Sequence, residues 1–238
     1  MKRQLVVSIL LLILISCKNE LIVDDKTSDY LIIDTSSVKL TYKNSIDKVV
    51  YASLFGSYLP NLSIELNNDS IDDLQFSCSV YHHTIYDEWT ASVTTLNDWV
   101  EIDLEQHTDM FAKYFVKFYN SSANDSITVS YKENFNENKL YPSNLKIETT
   151  INLYPVIHSF GDTISEQCNW NNGSYILKHD NQSTGVMTNV KIGTWREIDK
   201  KFIGVRIKEN EKLYYAWIEL SVSGFGISLH KYACVLIK

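Results

Sequence analysis

The chain has 238 residues, with 22 Lys and Arg against 29 Asp and Glu, for a net charge of −7 at pH 7. An acidic chain without a basic cluster excludes nucleic acid and anionic lipid headgroups as its main partner. This length buries one sizeable core or two small ones side by side, and the apolar content, skewed to Tyr among the aromatics, describes a globular protein built from strands.

In chain order, Met1-Lys2-Arg3 places two cations ahead of the apolar run 5–15. At about 11 residues that run is too short for a comfortable membrane span and suits an export signal. It ends in Leu14-Ile15-Ser16-Cys17, which resembles the lipobox of bacterial lipoproteins: a Leu, a small-to-medium residue, Ser, and the Cys that is diacylated before cleavage. The resemblance implies a lipoprotein signal peptide over residues 1–16, Cys17 as a lipidated N-terminus, and a mature net charge of −9 after loss of Lys2 and Arg3. The alternative is a plain secretory signal whose Cys falls there by chance. Residues 17–29, polar and acidic around Leu21-Ile22-Val23, read as a lipidated tether, with each acyl methylene contributing about 0.8 kcal/mol to membrane attachment.

From residue 30 to 238 apolar and polar residues alternate with the period of strands. Val38, Leu40 and Tyr42 share a face, as do Leu62, Ile64 and Leu66, then Val100, Ile102 and Leu104, then Ile127, Val129 and Tyr131, then Ile203, Val205 and Ile207. Tyr214, Ala216, Ile218, Leu220 and Val222 form one face of a further strand, with Tyr215 and Trp217 on the other. Turn signals at Asn67-Asn68-Asp69-Ser70, Asn120-Ser121-Ser122, Asn171-Asn172-Gly173 and Glu209-Asn210-Glu211 separate these runs. Residues 109–119 fit both helix and strand periods, and their Tyr, Phe and Val favour strand. The pattern predicts an all-β fold, an antiparallel β-sandwich, with the polar segment 134–144 either joining two packed β subdomains or forming a long loop within one.

The C-terminal stretch Lys201-Phe202-Ile203-Gly204-Val205-Arg206-Ile207, then Tyr214-Tyr215-Ala216-Trp217-Ile218-Glu219-Leu220, ending near Tyr232-Ala233, resembles a β segment of envelope lipoproteins of unknown function from Bacteroidetes-like bacteria. Ala216 stands where that pattern has Gly, and Lys231 where it has Asp. The resemblance covers the last fifth to quarter of the chain. It implies a β-sandwich of the outer membrane or cell surface and carries no catalytic residues across. Tyr215 and Trp217 are either an exposed ligand platform or a second layer of sheet packing.

One loop carries a metal-like spacing. Glu65, Asn67, Asp69 and Asp73 fall at positions 1, 3, 5 and 9 of a segment similar to the calcium loops of several extracellular β proteins. Glu65 replaces the first Asp, and Ser70 replaces the Gly of the sharp turn. The competing reading is an Asn/Asp-rich turn that caps its own backbone. No cofactor is required by any motif, and structural calcium is the one metal the sequence suggests.

Elsewhere, His82-His83 beside Asp87 and Glu88 lack zinc-type spacing, because adjacent strand residues face opposite ways. Glu101 and Asp103 lie on one face with Trp99, which suits a polysaccharide hydrolase or simply a polar strand face. Cys78 and Cys234 read as buried hydrophobes, and Cys168 has no base nearby in sequence. Ser70, Ser126 and Thr163 sit in Asp-Ser/Thr-apolar triplets similar to the O-glycosylation pattern of exported Bacteroidetes proteins. The functional expectation is a membrane-anchored, non-catalytic binding or surface-assembly module for a glycan or protein, without nucleic acid. The alternative is an envelope polysaccharide hydrolase on a jelly-roll-like scaffold.

Overall fold

The computed structural model describes residues 32–33, 41–43, 48–51, 61–83, 86–120, 125–183, 187–224 and 226–237. Residues 1–29, where the sequence suggests a signal peptide, a lipidated Cys17 and a tether, lie outside them. The described residues form strands and no helix: β1 Ile32–Ile33, β2 Thr41–Lys43, β3 Lys48–Tyr51, β4 Asn61–Ile64, β5 Leu74–His83, β6 Tyr86–Thr95, β7 Val100–Asn120, β8 Asp125–Asn134, β9 Lys146–Pro155, β10 Thr163–Ile164, β11 Trp170–Asn171, β12 Ser174–Ser183, β13 Thr188–Ile192, β14 Ile198–Glu209, β15 Lys212–Ser223 and β16 Gly226–Leu236. The fold is all-β, as the alternation predicts.

Two arrays face each other across the core. One runs β4-β5-β6-β12-β13, and the other runs from β2 and β3 through β16, β15 and β14 to the start of β7. Leu74, Phe76 and Cys78 of β5 and Trp89, Ala91 and Val93 of β6 meet Ile203, Val205 and Ile207 of β14 and Ala216, Ile218, Leu220 and Val222 of β15. Each large apolar side chain buried here contributes about 1.5–3 kcal/mol. The pairing is mostly antiparallel, but β13 joins β8 and β1 joins β10 in parallel, so the sheet is mixed.

The β14–β15 array is buried on both faces. Residues 156–171 cross its outer side as a strap, and Ile164 and Trp170 from that strap close over Phe202, Tyr215 and Trp217. Trp170 stacks on Tyr215 at 5.7 Å, and Phe202 meets Trp217 edge-on at 5.1 Å. This second core explains why β15 is apolar on both faces, the pattern of a fully covered strand.

β7 leaves the sandwich. Over Val100–Ile207 to Ile102–Val205 it pairs with β14, from Leu104 to Lys113 it pairs with β9, and from Phe111 to Asn120 it pairs with β8 on the other side. β7, β8 and β9 thus form a three-stranded wing. The segment 135–145 is the connection from β8 to β9, both of which pair with β7.

Candidate functional site

Alternation places every second residue of β7 on one face. Val100, Ile102 and Leu104 point into the sandwich core. The same face continues as Gln106, Thr108, Met110, Ala112, Tyr114, Val116 and Phe118 along the wing. Register brings Leu153, Ile151 and Ile147 of β9 beside Gln106, Thr108 and Ala112, and Ile127 of β8 beside Phe118. Met110, Ile147, Ile151, Leu153, Phe118 and Ile127 are each 39–63 % exposed. Past Gln106 and Thr108, the core-side face of β7 therefore runs on into solvent, and among the described residues one loop packs on it. That loop places Tyr141 edge-on against Tyr114 at 5.6 Å, and Tyr114 stacks on Tyr131 at 5.0 Å. Beside Tyr141, Leu140 is 97 % exposed.

Charge on the wing is kept to the opposite face and to one self-neutralising pair. Glu148 bridges Lys113 at 3.4 Å and Lys132 at 3.3 Å on the opposite face, and the two ammonium groups hold its carboxyl below the usual range. On the apolar face Glu133 accepts from Lys139 at 2.5 and 2.8 Å and from the Tyr114 hydroxyl at 3.1 Å.

The 65–73 loop is closed largely by its own hydrogen bonds. The Asp69 amide donates to Asn67 Oδ1 at 3.3 Å, the Ile71 amide to Asp69 Oδ1 at 2.7 Å, and the Leu66 amide to Asp73 Oδ2 at 2.7 Å. Asn67 Nδ2 also donates to Asp69 and, across the molecule, to Glu209. Ser70 holds the left-handed φ of 72° that the turn demands of a Gly. Asp73 is fully buried, and its Oδ1 meets no donor. Among the described residues no three His, Cys, Asp or Glu side chains are set to hold a metal.

Burial, aided by the negative charges of Asp69 and Glu65, pushes the Asp73 carboxyl from 3.8 to about 6. The folded protein therefore keeps a proton that the unfolded chain has released between those values. Stability is expected to fall as pH rises from about 4 to about 6, by up to about 3 kcal/mol, and to level off above. Asp73→Asn is expected to flatten that slope in urea unfolding curves; an unchanged slope would assign it to another carboxylate. Calcium suits these oxygen donors. A metal site raises the melting temperature of the wild type in calcium at pH 7.5 but not that of Asp73→Asn, whereas a self-capped loop melts alike in calcium and chelator.

A third feature is an open cleft of about 310 Å³ lined by Asp87, Trp89, Lys178, Asp180, Gln182 and Gly224. Lys178 is buried, sits 4.0 Å over the Trp89 ring, and pairs with Glu197 at 2.5 Å. Arg196 engages Asp180. Trp89 is only 4 % exposed beneath that lysine, so it presents no stacking face to a sugar.

Glu101 and Asp103 do not form a catalytic pair. Glu101 is taken by Arg206 at 2.6 Å and Lys208 at 3.3 Å. Asp103 is buried, contacting His158 Nε2 at 2.9 Å and accepting from the Asn169 amide at 3.0 Å. Tyr215 and Trp217, at 4 % and 3 % exposure, are not an exposed platform; the strap turns them into packing. The three described cysteines are free thiols. Burial pushes Cys78 up to about 12, and burial with the charge of Asp103 raises Cys168, so neither is an activated nucleophile. Ser70 and Thr163 are exposed and Ser126 is half-buried, on the polar face of β8 opposite Tyr119. His82 and His83 pair through their backbones with Asp87 and Tyr86, and their side chains lie outside the described residues.

The wing face and the Asp103–His158 pair were not found from sequence. The first had a partial signal, the return of apolar residues at Met110, Ala112, Tyr114, Val116 and Phe118 after the polar run 105–109. The second had only Gly204, whose absent side chain leaves room for His158 Nε2, 3.3 Å from where a Cβ would stand. No family model matches the chain, and neither a curated protein nor a solved structure matches it.

Proposed function

We propose that the protein is a lipid-anchored module of the bacterial envelope that works by docking onto protein, through the apolar face of the wing, rather than by catalysis. The observation that carries this reading is the row of large apolar side chains left 39–63 % exposed on one sheet face, where the charged residues Glu133 and Lys139 neutralise each other. Contiguous apolar surface of that kind marks an interaction site in a soluble domain. The face suits protein better than glycan, because among the described residues it holds no tryptophan, and its polar side chains are Gln106, Thr108, Thr149 and the Glu133–Lys139 pair. The hydrolase alternative has less support. Asp87 and Asp180 line the cleft, but Asp180 is engaged by Arg196, and the tryptophan there is covered. The lipid anchor rests on the lipobox resemblance alone.

A photo-crosslinking amino acid at Ile151 tests the reading in intact cells, with the same group at Lys117 on the opposite face as control. A discrete adduct from position 151 and none from 117 is the expected result. No adduct from 151, or equal adducts from both, removes the wing as the working surface.

A further inference from the structure

Away from the wing, the cleft of β6 and β12 is built around a buried cation. The register sets Asp180 against Trp89 and Gln182 against Asp87, and alternation puts Lys178 on the same face as Asp180 and Gln182. Pairing slips between Ile176 and Lys178, and both Leu177 and Lys178 are buried in succession. Irregularities of this kind re-aim a side chain, often beside a binding site. Here the slip turns an ammonium group inward, onto the Trp89 ring at 4.0 Å.

A buried ammonium needs a partner. Asp180 is engaged by Arg196 and stays 4.0 Å from Lys178, beyond hydrogen-bond reach. Lys178 donates instead to Glu197 at 2.5 Å, and the Glu197 side chain is 64 % exposed. Glu197 holds a left-handed φ of 50°, strained for a residue other than glycine. Its second oxygen accepts from the Gly224 amide at 3.4 Å. A nearly solvated carboxylate is thus gripped by two donors, and the residues of both donors line the cleft.

We propose that Lys178 Nζ and the Gly224 amide form a carboxylate-binding site, held in the free protein by Glu197 and taken over by the carboxylate of a small hydroxylated acid such as a uronic acid. The site is separate from the wing and does not rest on the docking reading. The donors favour an anion, since Lys178 holds the Glu197 carboxyl below its usual range. Exchange costs little: one carboxylate replaces another, the ammonium is never left bare, and Glu197 has little solvent to regain. The cleft volume of about 310 Å³ lies at the small end of small-molecule sites. Its other polar lining selects the body of the ligand. Asp87, Asp180 and Gln182 present acceptor oxygens that hydroxyls satisfy, and the two carboxylates repel a second negative charge. With Trp89 covered by the lysine, recognition runs through the carboxylate and hydroxyls rather than through ring stacking.

The test titrates D-glucuronate into the full-length chain at neutral pH and reads binding by calorimetry, with phosphate at matched ionic strength as control. Glu197→Gln removes the resident carboxylate and should tighten glucuronate binding about tenfold or more over wild type. Lys178→Met should abolish binding. The methionine fills the space over Trp89 and leaves Glu197 in water, so the fold is kept. Glu197→Ala should lower the melting temperature, and acetate in place of chloride should restore about half of that loss or more. Equal affinity in wild type and Glu197→Gln overturns the inference, because Glu197 would then not occupy the site. Binding that survives Lys178→Met, phosphate binding as tight as glucuronate, or no binding to Glu197→Gln overturns it as well. Should Glu197→Ala fail to fold, the Glu197→Gln titration decides alone.

Discussion

Gly193→Ala is expected to cost about 3–5 kcal/mol, seen as a fall in melting temperature of about 10 °C or more. Gly193 has φ of +93°, a conformation that an L side chain adopts only under strain. A Cβ there would stand 2.3 Å from the Leu177 carbonyl oxygen, 2.8 Å from its carbon and 2.9 Å from Lys178 Cα. All three are backbone atoms, so no side chain can swing aside. The same carbonyl accepts the Trp195 amide at 3.0 Å, and the Trp195 indole is fully buried with its N–H on the Pro155 carbonyl at 2.9 Å. Pushing β12 away from residue 193 therefore dislodges the largest side chain in the core. Gly224→Ala is the control. Its φ of +49° carries strain, but nothing lies within 4 Å of the added carbon, so a loss of about 1 kcal/mol is expected. Equal losses at the two glycines would show that steric contact with β12 is not the cause.

Asp103→Ala is expected to destabilise by about 2–3 kcal/mol, because it leaves a buried imidazole and a part-buried amide without their partner. The lost partners are His158 Nε2 and the Asn169 amide, and both belong to the strap. Backbone bonds also tie that strap down: Val156 N to the Asp103 carbonyl at 3.0 Å, Leu104 N to the Asn169 carbonyl at 3.0 Å, and a mutual pair between His158 and Phe202. Losing the side chain should thus loosen the strap before the sandwich opens. Tryptophan fluorescence reports this directly, since Trp170 and Trp217 lie in the second core that the strap covers. Asp103→Asn keeps one acceptor and should cost about 1 kcal/mol. Combining Asp103→Ala with His158→Ala should add less than the sum of the single losses, as partners in one network do. Additive losses would mean that the two residues do not act together.

Much of this architecture was legible in the sequence, because a strand records its buried face at every second position. Leu74-Phe76-Cys78, Ile203-Val205-Ile207 and Ala216-Ile218-Leu220-Val222 are core rows in sequence and structure alike. Segment 109–119 lies within β7, where Tyr, Phe and Val prevail over its helical periodicity. Two things were not legible. Alternation says which residues share a face but not what covers it. Tyr215 and Trp217 are buried because of a strap about 50 residues earlier in the chain, whereas Ile147 and Ile151 stay open, with no such strap packed on them among the described residues. Pairing between distant strands was also invisible, so Asp103 and His158 looked like a groove acid and an isolated imidazole. The parallel join of β13 to β8 follows from the same limit, since no local signal encodes it.

The length of β7 has a consequence for the order in which the molecule takes shape. Its far half finds β8 and β9 within the continuous stretch 104–155, through hairpin contacts that close quickly. Its near half waits for β14, whose Val205 lies about a hundred residues beyond Ile102, and such distant pairings form slowly. A chain delivered from its N-terminus presents the wing before β14, β15 and β16. The apolar face of β7 is then complete while β14, β15 and β16 are still arriving, and it is a surface open to capture by holding chaperones or by neighbouring chains during folding.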